Sequence, residues 1–504
     1  STMSLIGLDL NAPRARAIQG EQPGGGPHVP MGLLLDGNER ELPLAISLEE
    51  RQLRVGRAGA GLSRRAPHLA CLDFLPHLGD DRTWDAGRHR LDAAGALALV
   101  CEHLQRRLGR AEGVTVALPA YFSPAQAGLL ANLANKARWR LLGSIPAPVA
   151  VALAAHEHLP WSGLAVVLDL DGYALTWSAV AVRGDMLRVL YTQAAPHLAR
   201  GVWLCRLLDG AALRCIRLSR RDPRELAETE QALFDQLAAA IDTHTGNEPV
   251  EMVLQTPHWY QHLRFPPAEL SAFCAPLVQR AVAEMQDFLA TIATLGPVGT
   301  VLLTGAAARL PGLAAALDEL ILSPEAEVSP DEANPDFGED LVEENALSAR
   351  LHVLDDDAVA RAAFDLALRQ HRGVLPRGHL DAAALPGSAA YDAAGDRGPA
   401  RLHYRGEDHL LAGPLFTLGR DPSCNLVFET ELYPTVSARH CEIVWTRGMF
   451  LLRDRSRHGT LVNDCLLTQP AVLHSGDWIR LGPSGPLVRF LGQPSDQRRR
   501  MTIA

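Results

Sequence analysis

The sequence predicts an α/β part over residues 1–372 followed by an all-β sandwich over residues 401–493. In the first part, apolar stretches typical of buried strands alternate with longer stretches of helical spacing, which indicates an α/β protein. In the C-terminal part, short β-prone stretches are separated by turn residues, as in a sandwich. Residues 373–400 are rich in glycine, proline and alanine and are predicted to be a linker. Residues 494–504 are predicted to be a frayed basic tail.

The predicted elements follow one another along the chain without repeats. In the first part, the predicted strands are residues 3–10, 114–122 with a closing turn, 165–170, 177–182 and 301–304. The predicted helices are residues 91–108, 124–140, 267–292 and a stretch after residue 312. In the C-terminal part, the predicted strands are residues 415–418, 441–445, 450–453, 478–481 and 487–491. An apparent phosphate loop at residues 56–61 lacks the ending of a P-loop and is read as exposed glycine-rich loop.

The composition indicates an ordinary soluble globular protein. Hydrophobic residues make up 47% of the chain and charged residues 21%. A formal net charge of −10 argues against nucleic acid or an anionic membrane surface as the main partner. No apolar run approaches the roughly 20 residues that a membrane-spanning helix needs. The eight cysteines include no Cys-x-x-Cys pair and are predicted to be reduced thiols of a cytoplasmic protein, forming neither disulfides nor a metal site.

Three short motifs near the C-terminus carry side chains suited to binding a phosphate. They are Gly419-Arg420, Ser437-Ala438-Arg439-His440, and Ser456 to Asn463, which reads Ser-Arg-His-Gly-Thr-Leu-Val-Asn. A guanidinium group offers a planar pair of donors to a phosphate, and a hydroxyl adds a compact hydrogen bond. The segment resembles a forkhead-associated (FHA) domain, a family that binds phosphothreonine peptides. The resemblance implies that the phosphopeptide-binding residues are Arg420, Ser437, Arg439, Arg457 and His458.

One position departs from the family pattern. The family has asparagine before the glycine, and this chain has His458 before Gly459. An amide and a neutral imidazole can each donate and accept a hydrogen bond, but with different reach. By the same resemblance, His440, Gly459 and Asn463 should be structural. The alternative is an FHA fold that has lost phosphate binding and only binds a partner protein without phosphate.

Five segments of the first part resemble the Hsp70 family, in the order in which that family has them. They are residues 114–122, 145–153, 169–176, 302–311 and 357–361. The third and fourth resemble the second phosphate loop and the adenosine loop, and the second resembles the connecting helix. The resemblance implies a two-lobed actin/Hsp70-like ATPase fold, with the peptide-binding domain replaced by a linker and the FHA domain.

The same resemblance places a nucleotide site at six residues. They are Asp9, Asn11, Asp169, Gly172, Gly305 and Arg309. Asp9 and Asp169 would hold magnesium through water if a nucleotide binds, and otherwise they cap the turns that follow two strands.

The residues around this site have changed from the family pattern. Ala12 lacks a hydroxyl, Pro13 lacks an N–H, and Asp171 places a carboxylate where a polyphosphate would lie. The connecting-helix glutamate is replaced by Ala147, and a catalytic lysine near the phosphates is excluded because Lys136 is the only lysine in the chain. These changes predict a pseudo-ATPase with no catalytic residues. No cofactor is expected, although binding of ATP with magnesium remains an alternative.

The sequence as a whole favours a cytoplasmic bacterial adaptor. Its FHA domain would recruit a threonine-phosphorylated protein, which requires a Ser/Thr kinase upstream. Two alternatives stay open: an active Hsp70-like ATPase or chaperone that its FHA domain localises, and a docking protein that does not need phosphate. An acidic stretch at residues 324–344 is read as a solvated insertion, with a docking site for a basic partner as the alternative.

Overall fold

The computed structural model describes residues 3–22, 29–159, 161, 163–183, 186–244, 246–256, 259–322, 350–385, 400–411, 415–446, 449–463, 465–473 and 476–491. The acidic stretch predicted at residues 324–344, the tail predicted at 494–504 and half of the predicted linker lie outside these residues.

The first part contains twenty strands and ten α-helices among its described residues. The strands are β1 (Met3–Leu10), β2 (Arg14–Gln22), β3 (Val29–Gly32), β4 (Glu41–Pro43), β5 (Ile46–Ser47), β6 (Arg54–Val55), β7 (Ala70–Cys71), β8 (Thr83–Ala86), β9 (His89–Asp92), β10 (Gly113–Leu118), β11 (Leu141–Pro146), β12 (Leu164–Leu170), β13 (Leu175–Arg183), β14 (Met186–Ala195), β15 (Val250–Gln255), β16 (Tyr260–Phe265), β17 (Val298–Leu303), β18 (Arg350–Val353), β19 (Gly378–His379) and β20 (Ala382–Ala384). The helices are α1 (Arg57–Ala60), α2 (Ala93–Leu108), α3 (Pro124–Lys136), α4 (Ala147–His158), α5 (Arg200–Ser219), α6 (Ala227–Thr243), α7 (Pro267–Ile292), α8 (Gly305–Ala308), α9 (Leu313–Leu322) and α10 (Ala358–His371). The predicted α/β character of this part is confirmed.

Two sheets of the first part share one strand pattern. In the first sheet, β1 pairs with the parallel strands β10 and then β11 on one side, and with the antiparallel strands β2 and then β3 on the other. In the second sheet, β12 takes the place of β1, with β17 and β18 parallel on one side and β13 and β14 antiparallel on the other. The turns that follow β1 and β12 therefore occupy equivalent places in the two sheets.

Helices cover both sheets and fill the space between them. Helix α4 is almost wholly apolar and contacts strands of both sheets, which is why its residues are buried on nearly every side. Helix α10 packs on the first sheet and on α4. It approaches β1 so closely that a Cβ atom at Gly7 would lie 2.1 Å from the backbone oxygen of Ala360. Glycine at this position therefore lets the helix lie directly on the strand.

The predicted linker begins later than residue 373. Strand β19 pairs with β11, and β20 pairs with β14, so the chain up to residue 385 completes both sheets. The alanines of β20 are buried, since their small side chains let this edge strand pack closely. A composition rich in alanine and glycine predicts a linker, but it also suits a tightly packed edge strand. The linker can occupy only residues 386–399, which lie outside the described residues.

The C-terminal part is a sandwich of two sheets, as predicted. Its strands are β21 (Arg401–Tyr404), β22 (Glu407–Leu410), β23 (Leu415–Gly419), β24 (Leu426–Val427), β25 (Cys441–Thr446), β26 (Met449–Asp454), β27 (Thr460–Val462), β28 (Cys465–Leu466), β29 (Ala471–Val472), β30 (Trp478–Leu481) and β31 (Leu487–Leu491). The order in one sheet is β22-β21-β31-β30-β27-β28, and in the other it is β24-β23-β25-β26-β29. Apolar side chains from both sheets, such as Phe416, Ile443 and Phe490, form one core between them.

The sandwich packs against the first part through an apolar contact. The side chains of Trp478 and Leu487 join the core that surrounds α4. The imidazole ring of His156 lies edge-on to the ring of Trp478, with 4.8 Å between the ring centroids, and it makes a similar contact with Trp161 at 5.3 Å. His156 is buried, and burial together with the charge of Arg489 lowers its pKa to about 3. This imidazole is therefore neutral at the contact.

In the described ranges, no helix is both long enough and apolar enough to cross a membrane. Each of the eight cysteines is a free thiol.

Candidate functional site

Three loops meet at one end of the sandwich, and they carry the predicted phosphopeptide-binding residues. Gly419 ends β23 and is followed by Arg420, whose backbone N–H donates to the carbonyl oxygen of Ser437, 3.1 Å away. A Cβ atom at Gly419 would lie 2.1 Å from the carbonyl oxygen of Ala438. Only glycine therefore allows the two loops to approach in this way. The Nε atom of Arg420 donates to the carbonyl oxygen of Val436, which fixes the root of the guanidinium group.

Ser437 joins the second loop to the third. Its Oγ accepts a hydrogen bond from the backbone N–H of Arg457, with 3.1 Å between the two atoms. The hydroxyl proton of Ser437 is not used in this contact, so it can be donated to a ligand. The side chains of Arg457 and His458 are exposed beside it.

His440 is buried below these loops and holds them together. Its Nδ1 accepts from the backbone N–H of Ser437 at 3.1 Å, and its Nε2 donates to the carbonyl oxygen of Gly459 at 3.1 Å. Both contacts require the neutral ring with its proton on Nε2. Burial lowers the pKa of His440, which favours this neutral form.

The third loop is also fixed by Asp454, a residue that the sequence did not single out. Its Oδ1 accepts from the hydroxyls of Ser456 and Thr460, each 2.7 Å away. Burial raises the pKa of Asp454, but these hydrogen bonds outweigh burial and the net pKa is lowered. The sequence feature that could have identified Asp454 is an aspartate two residues before a serine, which is the spacing of a side chain that caps a turn.

Asn463 closes the far end of the third loop. Its side-chain oxygen accepts from the backbone N–H of Trp478 at 3.0 Å, and its Nδ2 donates to Asp477 at 2.9 Å. Its backbone adopts φ of 50°, a left-handed conformation that asparagine tolerates. Asn463 therefore ties the loop to the start of β30.

The end of the sandwich carries several arginines, and the carboxylate of Asp421 lies near enough for its charge to interact with that of Arg439. Within the described ranges, Arg420, Arg439 and Arg457 form no ion pair with a carboxylate. Arg439 donates instead to the hydroxyl of Ser423, at 3.3 Å, and is otherwise exposed. The structure thus brings the predicted residues together on three neighbouring loops, and these cations are suited to an anionic ligand.

Comparison with known protein families identifies this part of the chain. The family model of the FHA domain matches residues 416–482, so the chain contains a C-terminal FHA domain. FHA domains bind phosphothreonine-containing proteins. Among curated proteins, no relative matches the chain.

The second predicted site lies in the first part, at the turns after β1 and β12. Asp9 is buried near the end of β1, and its Oδ2 accepts from the guanidinium group of Arg14, 3.2 Å away. Burial raises the pKa of Asp9, and the charge of Arg14 opposes that effect. Asn11 accepts from the backbone N–H of Arg14 at 3.1 Å. Arg14 was missed in the sequence, although it directly follows the altered turn.

The turn after β12 is organised by the carboxylate of Asp171. Its Oδ1 accepts from the backbone N–H groups of Tyr173 and Ala174, at 2.9 and 3.0 Å. Its Oδ2 accepts from the backbone N–H of Ala12, at 3.1 Å, and from the hydroxyl of Tyr121. Backbone N–H groups of both turns are therefore bound to a carboxylate of the protein itself.

Asp169 lies next to this turn and is half-buried. Its Oδ1 accepts from the hydroxyl of Thr304, 2.8 Å away, and from the backbone N–H of Leu170. Burial, followed by the nearby charge of Asp9, raises its pKa to about 7. Asp9 and Asp169 therefore lie close enough for their charges to interact.

The three other predicted nucleotide residues lie close to acidic side chains. Arg309 forms an ion pair with Asp356, at 2.8 Å between nitrogen and oxygen. A Cβ atom at Gly305 would lie 2.4 Å from the same carboxylate of Asp356, and one at Gly172 would lie 2.7 Å from Asp73. In the described part of the chain, no group of three or more His, Cys, Asp or Glu residues has the arrangement of a metal site.

Proposed function

We propose that this protein is a phosphothreonine-dependent adaptor. The observation that carries the proposal is the end of the FHA domain, where the loops that carry Arg420, Arg439 and Arg457 meet at Ser437, and where these arginines form no ion pair with a described carboxylate. A phosphate group carries about −1.5 to −2 charges at pH 7 and offers three acceptor oxygens. Arg420 and Ser437 would bind the phosphate, with Arg457 and His458 beside the peptide backbone.

The residues below the loops support binding rather than a relict fold. His440 and Asp454 make hydrogen bonds that hold the second and third loops in position. A site whose loops are fixed before the ligand arrives loses less conformational entropy on binding. The partner would be a protein phosphorylated on threonine by a Ser/Thr kinase.

We further propose that the first part is a two-lobed actin/Hsp70-like domain that serves as a scaffold. The shared strand pattern of its two sheets supports the fold, because each sheet places a turn after its central strand at an equivalent position. The contacts of Asp171 support the loss of ATPase activity. Its carboxylate is bound to the N–H of Ala12 and to those of its own turn, which are donors that a phosphate would require. ATP bound at these turns would place its negatively charged phosphates beside the buried carboxylate of Asp171, which would repel them.

Binding of phosphopeptides tests the adaptor function. The full chain is screened against a phosphothreonine peptide array, and matched phosphorylated and unphosphorylated forms of the selected peptides are titrated by fluorescence anisotropy. We expect the phosphorylated form to bind at least tenfold more tightly, and Arg420→Ala to remove that difference. Arg453→Ala is the matched control, because Arg453 belongs to the same domain but pairs with Glu442 on the sheet. Equal binding of the two peptide forms would instead indicate a domain that binds its partner without phosphate.

Calorimetry with ATP and magnesium, together with a phosphate-release assay, tests the scaffold proposal. We expect neither heat of binding at micromolar nucleotide nor release of phosphate above the uncatalysed rate. Turnover would favour the alternative, an active ATPase or chaperone that the FHA domain localises.

A further inference from the structure

A cleft of about 380 Å³ lies between the FHA domain and the first part. The first part contributes Leu159, Trp161, Thr300, Arg350 and His352 to its walls, and the FHA domain contributes residues of β21, β30 and the loops 432–435 and 483–487. Neither of the predicted sites includes this cleft.

The described walls of the cleft are basic, although the protein as a whole is acidic. Its lining includes Arg350, Arg405 and Arg480 but no aspartate or glutamate among the described residues, whereas the chain has a net charge of −10. Arg350 forms no ion pair with any described carboxylate. Burial and then the charge of Arg350 lower the pKa of His352 on the same wall. The cleft therefore has the positive potential that attracts acidic groups.

Two of the arginines are held in place by the FHA domain. The guanidinium group of Arg405 donates to the hydroxyl of Tyr433 at 3.1 Å and lies over the rings of Tyr404 and Tyr433. Arg480 donates to the carbonyl oxygen of Pro483 at 2.9 Å. Such fixed cations bind an anion with little loss of side-chain entropy.

The cleft is continuous with the loops of the candidate phosphopeptide site. Thr435 lines the cleft and stands two residues before Ser437, a stretch that spans at most about 7 Å. Gly482 lies between the two regions: a Cβ atom there would be 3.7 Å from Oγ1 of Thr435 and 3.8 Å from Cβ of His458. An extended peptide advances about 3.3 Å per residue, so about two residues span the distance from Ser437 to the edge of the cleft at Thr435.

We propose that this cleft binds an acidic segment of the same ligand, a few residues from its phosphothreonine, so that the first part takes part in recognition. The inference rests on the proposed phosphothreonine binding for the position of the ligand. The FHA domain would read the phosphate, and Arg350 of the first part would select partners with aspartate or glutamate beside it.

The test compares three peptides on the full-length protein. One carries phosphothreonine with acidic flanks, one carries phosphothreonine with Asn and Gln in place of the acidic residues, and one is the acidic peptide without phosphate. At low salt we expect acidic flanks to strengthen binding of the phosphopeptide about three- to fivefold, and 0.5 M salt to remove the gain. Arg350→Ala should also remove it. Arg110→Ala is the control, since Arg110 is exposed, carries the same charge and does not line the cleft.

The outcomes separate this inference from the proposed function. Equal binding of the acidic and neutral phosphopeptides would overturn the inference, and so would an acidic preference that survives Arg350→Ala. If phosphate has no effect while the acidic preference depends on Arg350, the cleft is confirmed as an acidic-peptide site and the proposed phosphothreonine binding fails. Arg420→Ala should weaken both phosphopeptides by the same factor and leave the acidic preference of the full chain in place.

Discussion

The carboxylate of Asp171 accepts a hydrogen bond from the backbone N–H of Ala12, 3.1 Å away, although the two residues are 159 positions apart. The contact joins the turn after the central strand of one sheet to the equivalent turn of the other. With the bonds from Tyr121, Tyr173 and Ala174, it makes a buried carboxylate the common acceptor of both turns. The stability of the first part should therefore depend on this one side chain.

Asp171→Ala should lower the free energy of unfolding by about 3 kcal/mol, because it leaves several buried donors without an acceptor. The loss of stability is limited because the charged carboxylate is itself destabilised by burial in the native state. This destabilisation is seen in the raised pKa of Asp171. Asp171→Asn keeps an acceptor oxygen and should cost about half as much. Urea unfolding of the full chain measures both, with the exposed Asp381→Ala as control. If Asp171→Ala unfolds with the same free energy as the wild type, the two turns do not need the carboxylate.

His156 should make the stability of the protein fall in mild acid. Its pKa is lowered to about 3 in the native state, whereas the unfolded chain titrates near 6.5, so the unfolded state binds more protons below that pH. The contribution is complete above pH 6.5 and is lost by about 1.4 kcal/mol per unit as pH falls towards 3. Between pH 7 and pH 5, the wild type should lose about 2 kcal/mol more than His156→Phe in urea unfolding. If the free energy of unfolding depends on pH in the same way for the two proteins, a neutral, buried imidazole at position 156 is excluded.

Gly419→Ala should disrupt the end of the FHA domain. The added Cβ atom would meet the carbonyl oxygen of Ala438 at 2.1 Å, so the loops must move apart at a cost of about 2–3 kcal/mol. We expect phosphopeptide affinity to fall at least tenfold, measured by anisotropy alongside thermal unfolding. Gly128→Ala is the opposite case: Gly128 lies within helix α3 with open space around its Cβ position, and the change should stabilise by about 0.5–1 kcal/mol. Unchanged peptide affinity in Gly419→Ala would place the ligand elsewhere on the domain.

His458→Asn should strengthen phosphopeptide binding about threefold. The amide offers a donor and an acceptor in one plane, which is the group that the FHA pattern has at this place, and His458 is exposed so that the change costs little stability. Titration of one phosphopeptide against both proteins measures the ratio. Weaker binding by the variant would mean that the imidazole itself contacts the ligand.

Local patterns in the sequence were sufficient to predict many of the elements. Helix α7 and strands β30 and β31 have the predicted bounds, because periodicity and turn residues mark their ends. The start of α4 was misplaced: residues 145–146 end a strand, and the helix begins at Ala147. Residues 57–60 form the short helix α1, not an exposed loop, since Gly59 is buried against Ile46.

The sequence was less informative about which distant residues meet. It predicted that the carboxylate at position 171 would repel a polyphosphate, but it could not show that the same group takes the N–H of Ala12. The pairing of Arg14 with Asp9 was missed for a related reason, since nothing local distinguishes a buried arginine from an exposed one. The motifs of the FHA domain were easier to assign, because the residues of each loop are close together in sequence.

The close approach of Gly7 to Ala360 has a consequence for how the protein is made. Strand β1 is synthesised before helix α10, which covers it and is among the last elements of the first part. At about 5–20 residues per second, roughly 20 to 70 seconds separate the two events. During that interval, the face of β1 that α10 covers has no permanent neighbour. Nascent chains stalled before residue 358 should therefore be sensitive to proteases at strand β1 and should depend on holding chaperones.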